Sequence, residues 1–266
     1  MTRSSLISSG KTCLNSVLSA AFRVRLVSDV PERLCQLRMK PLVDGKRRRM
    51  IEAIRERGVL FIHVPKNAGT SICHELYGLQ VKHSTLAYYE ALAPDLLDLP
   101  SFAIMRDPVD RFLSAFHYAR AGGTRDRLVA PAFRGRYMRF SGVDDALEHM
   151  ARSRSIFEVD HMFRPQHWYL TDREGRIAID HLVPYGELCR INELPISCRL
   201  DAVPRLNAGK RSTVALKAYQ ESFIRDFYRH DYEVLEMAAA RQGQVAGLRL
   251  RNARKAVPMR LALAAC

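Results

Sequence analysis

Three basic side chains stand where a transferred anionic group would need them: Lys66, His83 and Arg106. Lys66 opens the run Lys66-Asn67-Ala68-Gly69-Thr70-Ser71, which brings one ammonium, a turn glycine and two hydroxyls into a short stretch. A turn of this kind that leads into a helix aims backbone N–H groups and the positive helix end at one spot, and that spot attracts phosphate or sulfate. Gly69 offers backbone freedom, and Thr70 and Ser71 are good helix N-caps. The order is not the G-x-x-x-x-G-K-[ST] of Mg-nucleotide hydrolases, because Lys66 precedes the glycine. On the turn alone, an ordinary strand-to-helix connection explains these residues as well as an anion site does. His83 titrates near neutral pH and suits a general base; a helix-capping or surface histidine is the plainer reading.

The elements that must position these groups read as follows. Val59 to Ile62 is a short apolar run of β-formers and predicts a buried strand, with a helix continuing over Ile72 to Tyr77. Ser101 to Met105 repeats the pattern and ends at Arg106. Asp107 then caps a helix with Pro108 at its first position, and Phe112, Leu113, Ala115 and Phe116 supply its apolar face. Ser114 falls early on that helix, on the side of Arg106. Ser84 is the expected cap of a further helix, 119–140 reads as an Arg-rich loop, and 143–152 as an amphipathic helix. Ile177 to Val183 predicts another strand and Ala218 to Ala240 one long helix. The alternation predicts a single α/β domain whose central, mostly parallel sheet is flanked by helices, with the ligand at the carboxyl ends of the strands.

The paired motifs, strand-PKNAGTS-helix and then strand-RDPVDRFLSAF-helix, resemble the sulfotransferases that use 3′-phosphoadenosine 5′-phosphosulfate (PAPS), most closely their carbohydrate branch, which includes heparan and chondroitin sulfotransferases. The resemblance covers roughly Val59 to Met237. It implies a three-layer, P-loop-like sulfotransferase fold. It further implies that Lys66, Asn67, Ala68, Gly69, Thr70 and Ser71 hold the 5′-phosphosulfate, that Arg106 and Ser114 hold the 3′-phosphate, and that His83 is the base. Lys210 and Arg211, in a second Gly-containing basic loop, are further expected phosphate contacts, and Arg164 and Gln166 are expected polar contacts on an acceptor wall. A packed aromatic segment explains the histidine-rich run 161–170 as readily, and a zinc site lacks suitably placed carboxylate or cysteine partners there. The implied acceptor is a glycan or glycolipid; no metal and no specific nucleic acid is expected.

The chain of 266 residues suffices for one α/β domain, and its net charge of +14 is uneven. Residues 1–57 hold 13 Lys/Arg against 5 Asp/Glu, residues 239–266 hold 6 against none, and the rest is neutral. The expected organisation is a basic N-terminal extension (1–57), a catalytic domain (58–240) and a basic C-terminal tail (241–266). Basic ends suit an anionic membrane surface or polyanion, or are simply solvated. Six scattered cysteines without C-x-x-C spacing, no clear signal peptide and no transmembrane run point to free thiols in a cytoplasmic protein, peripheral to a membrane at most. Two other classes fit the same features. One is a P-loop-like nucleotide kinase or NTPase, for which Asp107 would have to hold magnesium. The other is a non-catalytic polyanion-binding protein.

Overall fold

Two short apolar runs become neighbouring parallel strands, and everything functional hangs from their ends. The computed structural model describes residues 16–41, 43–125, 127–196, 199–200 and 214–242. Strand β1 (Leu60–Ile62) pairs in parallel with β2 (Ser101–Met105), which pairs in parallel with β3 (His181–Pro184), giving the order β1-β2-β3. The register sets Ile62 opposite Ala103 and Met105 opposite Pro184. The carboxyl ends of all three strands therefore lie at one edge. Every residue of β1 and β2 is buried, as parallel strands with helices on their faces require. Burying each large apolar side chain here contributes about 1.5–3 kcal/mol.

Helices flank the sheet. They are α1 (Val30–Gln36), α2 (Gly45–Arg57), α3 (Gly69–Tyr77), α4 (Leu86–Leu92), α5 (Pro108–Arg120), α6 (Pro131–Tyr137), α7 (Val143–Ala151), α8 (His167–Leu170), α9 (Ala218–Phe227) and α10 (Arg229–Gln242). One apolar cluster surrounds the strands with Phe61, Phe102, Ile104, Ile72 and Leu86. Val24, Cys35, Ile51 and Ile54 belong to the same cluster, so the described part of the basic N-terminal stretch is packed into the core. A second cluster, with Phe112, Phe116, Tyr137, Phe163, Ile224 and Tyr228, lies where α9 meets α5 and α7.

The architecture is the expected α/β one, and four local expectations are corrected. The stretch 218–240 is two helices, because Tyr228 leaves the helical path to bury its ring and donate from its hydroxyl to Phe163 O at 2.7 Å. Helix α4 is capped by Thr85, whose hydroxyl accepts from Tyr88 N, and not by Ser84. The third strand begins at His181; upstream of it Ile177 makes only an isolated bridge with Thr171. Within the Arg-rich 119–140 segment, Pro131 starts helix α6. Lys210 and Arg211, with their loop, lie outside the described residues, as do Cys13, Cys198 and Cys266. Cys35, Cys73 and Cys189 are free thiols. Among the described residues no helix is long and apolar enough to cross a membrane.

Candidate functional site

Chain leaving β1 turns sharply through Lys66 and Ala68, both in the left-handed region at φ 69° and 60°. Ala68 is the N-cap of α3 and makes no side-chain cap bond. Thr70 and Ser71 thus lie inside the first helical turn and do not cap it, contrary to expectation. Ser71 N donates to Ala68 O at 3.2 Å, which leaves the N–H groups of Gly69 and Thr70 to face an anion, as at other helix N-termini. Gly69 is required for a different reason from the expected one. Its φ is ordinary, but a Cβ there would run into the His63 ring.

Lys66 Nζ lies 4.1 Å from the centre of the Tyr118 ring, a cation–π contact. Burial, with help from Arg106 and Arg111, brings its pKa down to about 8. Arg106 follows β2 and rests its guanidinium 4.6 Å from the Tyr185 ring centre. Its Nε is buried without a partner, and no carboxylate pairs with Lys66 or Arg106 among the described residues. Asp107 caps α5 by accepting from Asp110 N at 3.0 Å, as expected. Ser114 is half-buried on the second turn of the same helix. Arg106 thus keeps an orphaned donor, and neither it nor Lys66 is neutralised by a carboxylate among the described residues, an arrangement chemically suited to an anionic ligand.

The loop and Arg106 are joined by side chains. Asn67 Nδ2 donates to Ile104 O at 2.7 Å and to Gln166 Oε1 at 2.7 Å. Gln166 Oε1 also accepts from Arg106 N at 3.1 Å, and Gln166 Nε2 donates to Arg106 O at 2.8 Å. Gln166 is therefore fully buried between the two motifs and does not line an open acceptor wall. Arg164 departs from that expectation too: it is fully buried, ion-paired with Asp29 and bonded to Val159 O. A guanidinium keeps its charge when buried, so its burial requires such partners.

His83 sits beside the β1 end. Its Nδ1 lies 3.0 Å from His63 O. A carbonyl only accepts, so Nδ1 carries the proton and Nε2 keeps its lone pair. Burial, then the neighbouring His63 and His161, holds its pKa well below the ordinary histidine value. The His63 ring packs at 4.1 Å and the His161 ring at 5.9 Å, centre to centre. His63 donates from Nδ1 to Val81 O at 3.0 Å, and burial brings its pKa to about 4. His161 is anchored by Asp29, 2.7 Å from its Nε2. Burial alone would raise the Asp29 carboxyl, but Arg164 and His161 overcome it and hold it at about 2. Cys73, 3.6 Å from His63 Nδ1, is fully buried and its thiol is pushed up to about 12 by burial.

A turn closes over this side of the site. Gly123 bridges Leu128, Tyr118 donates to Arg127 O at 2.7 Å, and Arg127 donates to Gln80 Oε1 at 2.8 Å. The Arg-rich segment is thus tied to both the Lys66 side and the His63 side. His63, His161, Asp29, Tyr118 and Tyr185 all belong to the site without having been singled out from sequence. His63 lies two residues before Pro65, inside the first motif, and His161 opens the histidine-rich run. The remaining three carry no local signal. Among the described residues no group of three or more His, Cys, Asp or Glu side chains could hold a metal ion.

The sulfotransferase family's model matches residues 53–188. No curated protein and no solved structure matches the chain. The matched span contains Lys66, His83, Arg106, Ser114 and Gln166. The supporting carboxylates Asp29 and Asp231 come from outside it.

Proposed function

The chain belongs to the sulfotransferase family, and from that premise we propose that it moves a sulfuryl group from PAPS to a hydroxyl of a glycan or glycolipid, releasing adenosine 3′,5′-bisphosphate. The observation that carries this reading is the cationic pair Lys66 and Arg106, which has no carboxylate partner among the described residues and stands on two segments that Asn67 and Gln166 join at the carboxyl edge of β1 and β2.

In-line transfer forms a bond from the acceptor oxygen to sulfur as the bond from sulfur to the bridging phosphate oxygen breaks. Negative charge develops on the bridging oxygen. Lys66, protonated, neutralises it, and the N–H groups opening α3 hold the phosphosulfate oxygens; preorganised donors of this kind are the main lever on such a reaction. The proton leaving the acceptor hydroxyl goes to His83 Nε2, the nitrogen left free by the bond to His63 O. Arg106 and Ser114 hold the 3′-phosphate, which separates PAPS from ATP. Tyr118 offers its ring face to the Lys66 ammonium and helps to place it.

Label transfer from radioactive PAPS to a panel of glycan and glycolipid hydroxyls tests the reading. Wild type should transfer label to at least one acceptor class and Lys66→Ala should not. Unimpaired transfer by Lys66→Ala, or magnesium-dependent ATP turnover in its place, overturns it.

A further inference from the structure

We infer that Gln166 is a positioning residue that couples the two phosphate subsites of one nucleotide, and this rests on the sulfuryl-transfer reading above. Strand β1 stops pairing at Ile62 opposite Ala103, while β2 runs on to Met105. Beyond that point two side-chain amides take over the work of a strand. Asn67 serves Ile104 O, and Gln166 serves both the N–H and the C=O of Arg106. The same Gln166 oxygen also holds the Asn67 amide. One buried side chain thereby fixes the loop that follows β1 against the residue that follows β2.

Only a primary amide does this. Its oxygen accepts from Asn67 and Arg106 N while its nitrogen donates to Arg106 O. An ionised carboxylate of the same shape keeps the acceptors and loses the donor. Gln166 is in turn fixed from behind: Asp231 accepts from Gln166 N at 2.9 Å and from His167 N at 2.8 Å. Asp231 is wholly buried. Burial favours its neutral form, but the His167 bonds and the nearby Arg111 charge prevail and keep its carboxyl below the usual range. The Asn67–Gln166–Arg106 link sets the separation of the 5′- and 3′-phosphate subsites, so a ligand that fills both gains from the link and a ligand that fills one does not.

The test is calorimetric binding of adenosine 3′,5′-bisphosphate, 5′-AMP and 3′-AMP to the full chain and to Gln166→Leu and Gln166→Glu. In Gln166→Leu, affinity for the bisphosphate should fall by about tenfold or more, within the range of coupled sites, while both monophosphates change little. Equal weakening of all three would mean a merely structural role and would overturn the proposal, as would an unchanged bisphosphate affinity. Gln166→Glu covers the case in which the leucine variant does not fold. Its bisphosphate affinity should recover toward wild type as pH is lowered, because the neutral acid regains a donor for Arg106 O. A ratio to wild type that does not change with pH overturns the proposal. Failure of wild type to bind the bisphosphate at all would instead remove the sulfuryl-transfer reading, and this inference with it.

Discussion

At the residue scale, function depends on which protonation states the site holds near neutrality. In the proposed transfer Lys66 must be charged to neutralise the leaving phosphate, yet burial brings its pKa to about 8 before ligand arrives. The pH dependence has a definite sign. kcat/KM for PAPS should decline as pH rises through about 8, because that parameter reports the free enzyme. kcat should persist to higher pH, because the bound anion favours the ammonium. A pH–rate series separates the two; identical basic limbs would contradict the assignment. His83 has the opposite requirement. With its pKa held low it is neutral through the physiological range, so no acid limb is expected near the ordinary histidine value. His83→Ala should reduce kcat by about 10²–10⁴-fold, the usual worth of a general base, and leave binding of adenosine 3′,5′-bisphosphate nearly intact by calorimetry. Most of these residues were legible in the sequence because Lys66, Asn67, Gly69 and Arg106 fall in two contiguous motifs. Gln166 and Arg164 were visible as polar residues in a histidine-rich run, but their role was not. Whether an arginine faces a groove or a buried aspartate is decided by Asp29, which is far away in sequence.

At the scale of elements, the strand–turn–helix units were readable, and their fine structure was not. The expected freedom of Gly69 proves to be a matter of space, since the His63 ring occupies the position of a Cβ. Gly69→Ala should therefore cost about 1–3 kcal/mol, as overpacked cores do, and displace His63 from beside His83. A thermal melt together with the transfer assay checks both; a variant as stable and active as wild type would show that the loop relaxes freely. Helix α4, which follows His83, is held at its cap by Glu32 of α1, which accepts from Thr85 N at 3.0 Å and Thr85 Oγ1 at 2.7 Å. Burial raises the Glu32 carboxyl to about 7 against the Thr85 bonds, which act the other way. A raised folded-state value contributes stability that is present below the unfolded value near 4.5 and lost as pH rises through about 7. Glu32→Gln should accordingly be more stable than wild type at pH 8, by at most about 3 kcal/mol, and the advantage should vanish near pH 4. Paired melts across that window read the difference; a glutamine variant less stable at pH 8 would show that the charge on Glu32 is favoured there. Pattern reading missed this arrangement because a cap from another helix leaves no mark in the local sequence.

At the scale of the whole molecule, the family-matched span, 53–188, is not self-sufficient. Asp29, just before α1, and Glu32, within it, reach the histidine side, and Asp231 reaches Gln166 from α10. Net charge showed where the chain is basic but gave no sign that its N-terminal stretch supplies core residues such as Ile51 and Ile54. The central claim is that this sheet edge holds a nucleotide with phosphates at both the 5′ and 3′ positions. Thermal stabilisation by adenosine 3′,5′-bisphosphate, with ADP and AMP as controls lacking the 3′-phosphate, tests it most directly. At 100 times its Kd the bisphosphate should add roughly 2.7 kcal/mol of stability, and Arg106→Ala should abolish the effect. No shift with the bisphosphate, or an equal shift with ADP, would contradict the claim.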